Sequence, residues 1–141
     1  MELVELLWSI DRAILKRVKP RAREAGLSLT EALVLWRTRS AGTTRVTALA
    51  EDLGMVPSTL TGVLDRLVEA GWLARESDPE DRRAVVMRTT EKVSELLKTL
   101  TRAISDTVAR SFRKLPSDAK DRLHRDLVTL LECLQEGKSA R

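Results

Sequence analysis

The chain has one cysteine, Cys133, one histidine, His124, and no tyrosine. A lone cysteine excludes an internal disulfide framework, and one histidine with one distant cysteine cannot furnish an ordinary zinc site. No metal or other cofactor is therefore expected. Aromatic residues make up 3% of the chain, too few for the rows of stacking rings that hold single-stranded nucleic acid. Apolar runs long enough for a membrane span, about 20 residues, are missing. The opening Met1-Glu2-Leu3-Val4-Glu5 is acidic and amphipathic, unlike the basic and apolar start of a secretory signal. Neither a glycine-rich phosphate loop nor a nucleophile elbow occurs. The absences together predict a cytoplasmic protein that is not an enzyme.

What is present is charge and helical periodicity. The 141 residues are 43% hydrophobic and 33% charged, with a formal net charge of +4. Such a chain can build one domain, with or without helical extensions, and its modest basic excess favours an anionic partner. The excess lies between Arg12 and Arg23 and at Arg37, Arg39 and Arg45, a solvated face or a set of phosphate contacts. From Trp72 to Lys92 the five basic residues (Arg75, Arg82, Arg83, Arg88, Lys92) meet five acidic ones (Glu76, Asp78, Glu80, Asp81, Glu91). Any contact made there must depend on which side chains project.

The most informative stretch runs from Thr47 to Arg88. Leu60, Val63, Leu64, Leu67 and Val68 recur at the three-and-four spacing of one buried helical face. Pro57 stands in the first turn of that helix and Gly71 just past its end, the positions each tolerates best. Ser58, Thr61, Gly62, Asp65 and Arg66 occupy the other face. Upstream, Val46, Leu49, Ala50 and Leu53 make a shorter amphipathic helix closed by Gly54. Two helices joined by a glycine turn, the second with a small polar face, form the helix-turn-helix pattern that fits the DNA major groove. After Gly71 the period becomes that of strands, with Trp72-Leu73-Ala74 and Ala84-Val85-Val86-Met87 flanking the polar Ser77 to Arg83. That is a hairpin with a charged tip, a wing.

The remaining chain reads as helices. Leu3 to Val18 carries Leu3, Leu6, Leu7, Ile10, Ile14 and Val18 on one stripe, and Pro20 ends or bends it, with Arg21 to Ala25 a possible continuation. Leu29 to Arg39 follows, capped near Ser28 or Thr30, with Leu33, Leu35 and Trp36 for packing. Ser40 to Thr44 is a loop, with Thr43 to Val46 available as a third strand. A long helix spans Thr90 to Lys114, and a last one starts near Pro116 to Asp118 and carries Leu123, Leu127, Leu130 and Leu134. A frayed tail is expected from Gly137 on. The predicted fold is mainly α with a small β-hairpin wing, a winged helix-turn-helix over residues 29–89 between helical segments 1–28 and 90–141. The terminal stripes exceed what the central head can cover, and a second copy is the simplest cover for them.

The residues Leu29-Thr30-Glu31-Ala32-Leu33-Val34-Leu35, Leu49-Ala50-Glu51-Asp52-Leu53-Gly54, Ser58-Thr59-Leu60-Thr61, Leu64-Asp65-Arg66-Leu67, Gly71-Trp72-Leu73-Ala74-Arg75 and Asp78-Pro79-Glu80-Asp81-Arg82-Arg83 resemble, in order and spacing, the MarR family of bacterial transcriptional regulators. The resemblance implies a homodimer on a pseudo-palindromic double-stranded DNA operator, a repressor relieved by a small aromatic or anionic ligand, and a dimer layer made by the terminal helices. It also implies a wing arginine in the minor groove, with Asp81 orienting and Arg82 and Arg83 inserting or supporting. Two departures are visible. Gly62 stands where many relatives carry a long polar side chain, and Thr89-Thr90-Glu91-Lys92-Val93 replaces Leu-Thr-x-x-Gly at the joint after the second strand.

For reading DNA the candidates are Ser58, Thr59, Thr61 and Arg66, since short hydroxyls approach phosphates and base edges closely and arginine pairs with phosphate or guanine. The competing roles are a helix cap for Ser58 or Thr59 and a surface pair with Asp65 or Glu69 for Arg66. Trp8, Arg12 and Trp36 are candidates for lining the ligand cleft that the resemblance implies, with core packing the competing role of both tryptophans. Trp72 is assigned to the core, His124 to the surface, and Cys133, among Leu130, Leu131 and Leu134, to a buried apolar site. Because fold does not fix function, a winged-helix protein-protein module is the alternative.

Overall fold

The computed structural model describes residues 2–136. Six helices and three strands follow one another as α1 (Leu3–Glu24), α2 (Leu29–Ala41), β1 (Thr43–Arg45), α3 (Val46–Leu53), α4 (Pro57–Glu69), β2 (Leu73–Ser77), β3 (Val85–Thr89), α5 (Glu91–Phe112) and α6 (Ala119–Glu136). They form two compact units, one up to Ile104 and the other from Ser105 on.

Local chemistry sets the helix ends. Ser28 caps α2, its Oγ accepting from Glu31 N at 3.2 Å while Ser28 N donates to Glu31 Oε2 at 2.8 Å, so two otherwise unpaired amides are satisfied reciprocally. Pro57 takes the first position of α4. Gly54 and Gly71, at φ 61° and 73°, turn the chain after α3 and α4 in the left-handed region that side chains avoid. α1 runs through Pro20 to Glu24, so the proline does not end it.

The first unit buries one core. Ala22 and Leu27 come from the α1 end, Ala32, Val34 and Leu35 from α2, Leu49 and Ala50 from α3, and Leu60, Val63, Leu64 and Leu67 from α4. Trp72, Leu73 and Met87 come from the sheet, and Val93, Leu97 and Leu100 from α5. Each leucine so buried stabilises by about 1.5–3 kcal/mol relative to exposure. Trp72, at 8% exposure, is core as expected.

Trp36 is not. It is 50% exposed and Leu33 39%, because a helix turns about 100° per residue and both lie off the side of α2 that Val34, Leu35 and Thr38 bury. Trp8, on α1, is 68% exposed, so the core-packing role fails for both tryptophans.

The sheet is antiparallel in the order β1-β3-β2. The short β1, predicted only as an available strand, pairs Thr43 with Arg88 and Arg45 with Val86, and β2 pairs Leu73 with Thr89 and Ser77 with Val85. The departure at the α5 joint has a structural counterpart. Thr90 Oγ1 donates to Gly71 O at 2.8 Å, Thr90 N to Trp72 O at 3.1 Å and Lys92 Nζ to Ala70 O at 3.1 Å. The Lys92 ammonium also stands 3.9 Å from the centroid of the Trp72 ring. The turn after α4 is thus tied directly to the start of α5.

In the second unit, α6 exposes Leu123, Leu127, Val128, Leu131 and Leu134, and α1 in the first exposes Leu3, Val4, Leu6 and Ile10 beside Trp8. Cys133 is exposed as well, which corrects the expectation of a buried site. Its neighbours Leu131 and Leu134 lie on a part of α6 that the chain leaves open. His124 is exposed as predicted, and the expected frayed tail, 137–141, lies outside the described residues.

Candidate nucleic-acid interface

The buried stripe of α4 leaves Ser58, Thr59, Thr61, Asp65 and Arg66 exposed on its other side. Val56 is the residue preceding α4, and no side chain caps the helix, so Ser58 and Thr59 are not spent as caps. Thr61 Oγ1 donates back to Pro57 O at 2.9 Å. The Gly62 backbone faces open space, where an added Cβ would meet nothing within 4 Å. Arg66 donates through Nε to Glu31 Oε1 of α2 at 3.2 Å, rather than to Asp65 or Glu69.

The wing is braced at the base of its loop, just past the end of β2. Asp78, only 6% exposed, accepts from Arg45 at 2.6 Å through Nε and 2.5 Å through Nη2. Its second oxygen accepts from Glu80 N at 2.9 Å. The Glu80 amide foremost, then the Arg45 guanidinium, holds the Asp78 carboxyl below the usual aspartate range. Asp81 Oδ1 accepts from Arg83 N at 3.1 Å, so Asp81 shapes the backbone of the tip and does not grip a guanidinium. Farther along the hairpin, Arg88 pairs with Glu76 at 2.8 Å, and Arg75 pairs with Asp65 across from β2 to α4. Arg37 pairs with Asp52.

Arg37, Arg45, Arg66, Arg75 and Arg88 are therefore each committed to a carboxylate. Arg82 and Arg83 are not. Both are exposed at the wing tip, and among the described residues no carboxylate pairs with either. A segment with balanced formal charge thus projects two unneutralised guanidiniums, groups suited to phosphate oxygens or the narrow minor groove.

A model of the MarR family matches residues 27–85. An uncharacterized HTH-type transcriptional regulator of Bacillus subtilis (strain 168), YfiV, is 31% identical over 112 residues, 79% of this chain and 70% of that protein. The chain belongs to the MarR family. It is accordingly a helix-turn-helix transcriptional regulator. A crystal structure of MarR superposes with a TM-score of 0.84 at 21% identity, covering 100% of this chain and 96% of that one. A mutant of MarR from E. coli, solved in complex with operator DNA, superposes with a TM-score of 0.67 at 22% identity, covering 92% and 93%. At these identities the two structures share the fold with this chain.

Within this MarR-family head, the candidates for reading DNA fall on two exposed elements, α4 and the wing tip. Those for a ligand cleft are more scattered. Arg12 donates to Ser9 Oγ at 3.5 Å and Trp36 carries the Arg37 guanidinium at 5.9 Å from its ring centroid. No hydrogen bond or ring contact joins Trp8, Arg12 and Trp36 among the described residues. Sequence reasoning missed the braces. Asp78 carried one signal, an aspartate before proline that opens a turn, but nothing local tied it to Arg45, 33 residues away. Glu31 went unremarked both as the capping-box partner of Ser28 and as the anchor of Arg66.

Proposed function

We propose that this MarR-family protein is a sequence-specific double-stranded DNA-binding repressor that acts as a homodimer. The carrying observation is the pair of unneutralised arginines, Arg82 and Arg83, on a wing whose other arginines are each tied to a carboxylate. With α4 in a major groove, Ser58, Thr59, Thr61 and Arg66 face base edges and phosphates, and the wing tip follows the adjacent backbone or minor groove. Asp81 keeps the tip in shape.

The exposed apolar side chains of α1 and, separately, of α6 support a dimer layer built from segments 1–28 and 90–141, since apolar surface left open on a helix favours burial against a partner. Two-fold symmetry then sets two recognition helices about one helical turn apart on a pseudo-palindromic operator. A small aromatic or anionic ligand held near Trp8, Arg12 and Trp36 relieves repression if it prefers a different spacing of the two heads. No helix among the described residues is long and apolar enough to cross a membrane, in keeping with a cytoplasmic regulator.

The test is a fluorescence-anisotropy titration with duplex DNA from upstream of the protein's own gene against a scrambled duplex, at two salt concentrations. A preference for the upstream duplex that survives the higher salt is expected. Equal binding that vanishes with salt, the behaviour of phosphate attraction alone, would overturn the proposal and favour a protein-protein module. Size-exclusion mass reads the dimer directly, and Leu131→Asp on α6 is expected to halve it.

A further inference from the structure

Arg66 is the long cation on the exposed face of α4, and its side chain is 61% exposed. Its anchor lies on another helix. Glu31, with a side chain only 13% exposed, gives Oε1 to Arg66 Nε and Oε2 to the backbone N–H of Ser28. The Ser28 amide belongs to the backbone at the start of α2, and its bond to Oε2 ties the Glu31 carboxylate to that backbone. That same amide is the leading cause that keeps the Glu31 carboxyl ionised below the usual glutamate range.

An arginine held through Nε alone keeps the four N–H groups of its terminal fork free. Arg45 offers the contrast, because Asp78 takes both its Nε and an Nη. We propose that Glu31 is a positioning residue for DNA recognition. It fixes the direction of the Arg66 fork from α2, so that the fork meets its base or phosphate already ordered. This rests on the reading of Arg66 as a DNA contact. Binding then avoids the entropy of immobilising a long side chain, about 0.5–1.5 kcal/mol, or roughly two- to tenfold in affinity. Glu31 does not touch the DNA itself. Its effect appears in the preference for the correct duplex, because a free arginine still satisfies a nonspecific phosphate.

The experiment is a double-mutant cycle in the anisotropy titration, read as the ratio of affinities for the upstream and scrambled duplexes. The scrambled duplex absorbs the change in net charge that Glu31→Gln brings. Glu31→Gln keeps an acceptor for the Ser28 amide and is expected to lower the ratio about two- to tenfold. In an Arg66→Ala background, itself lowered, the same substitution is expected to change nothing further. A ratio that Glu31→Gln leaves at the wild-type value while Arg66→Ala lowers it would overturn the proposal. So would a Glu31→Gln loss that persists undiminished without Arg66, since Glu31 would then act through the fold. If Arg66→Ala leaves the ratio unchanged, the contact assigned to Arg66 fails, and a wild type without any preference marks failure of specific binding altogether. Should Glu31→Gln not fold, Glu31→Asp, with the charge kept and the reach shortened by one methylene, is read in the same way.

Discussion

The base of the wing and its tip carry the same kind of side chain under opposite conditions. At the base, Arg45 is bound by a nearly buried aspartate and Arg88 by Glu76. At the tip, Arg82 and Arg83 are exposed and, among the described residues, paired with no carboxylate. The difference shows how a hairpin with five acids and five bases can still present guanidiniums that no carboxylate holds. Asp78 and Glu76 neutralise the arginines that hold the structure together, and Arg82 and Arg83 are left, beside Glu80 and Asp81, where a polyanion can reach them. Paired exposed arginines contribute little to stability and little to attraction. Unpaired ones contribute to neither until DNA arrives.

The sharpest break in that contrast is removal of the tip. Arg82→Ala and Arg83→Ala are each expected to weaken binding to the upstream duplex by about 5- to 150-fold, the range of one good arginine contact at about 1–3 kcal/mol. Helix content and dimer mass should be retained. Unchanged affinity for both variants at fixed salt would mean the free arginines are idle. Loosening the base should cost less. Asp78→Asn removes the charge that anchors Arg45 and leaves the tip arginines in place, so duplex affinity falls by less than in Arg83→Ala while far-ultraviolet circular dichroism is unaltered.

The same brace has a signed pH dependence. The folded Asp78 carboxyl is held below the ordinary aspartate value of about 3.9. Its contribution is therefore complete above that value and is lost only as pH falls through the lowered folded one. A carbon-13 titration of the Asp78 carboxyl should show its midpoint below that of an exposed aspartate, and a midpoint at or above it would refute the brace.

Gly62 sharpens the comparison on α4, at a point of its outer face that carries no side chain. Gly62→Ala places a methyl in open space and removes backbone entropy from the unfolded chain. It should stabilise by about 0.5–1 kcal/mol in urea unfolding, and a destabilised variant would mean that the site is closed. The smallest effect is expected from Arg75→Ala. Its pair with Asp65 is about half exposed on both sides, so the stability change should lie within about 0.2–1 kcal/mol. Duplex affinity should hardly move, and a loss approaching that of Arg83→Ala would erase the distinction between tethered and free arginines.

Much of this architecture was legible in order along the chain. The apolar spacing of Leu60, Val63, Leu64 and Leu67, with Pro57 before and Gly71 after, marked α4 to within a residue. Ser28 or Thr30 was expected near the cap of α2, and it is Ser28 that takes it; the change of period after Gly71 marked the hairpin. The competing core role of Trp36 and Trp8 fails because a large ring suggests a core wherever it stands, whereas the phase of α2 and the open side of α1 leave both rings at the surface. Cys133 was misjudged for the same reason. A leucine-rich neighbourhood predicts burial only if something covers it.

Caps, turns, periods and formal charge are properties of residues a few positions apart, and local sterics and backbone hydrogen bonding decide them whatever the rest of the chain does. These the sequence determined by itself. Which arginine meets which acid joins residues as far apart as Arg45 and Asp78, or Glu31 and Arg66, separated by 33 and 35 positions. Only packing the helices and the sheet around one core brings such groups within hydrogen-bond reach. Tertiary structure therefore decided which cations are tied and left Arg82 and Arg83 free.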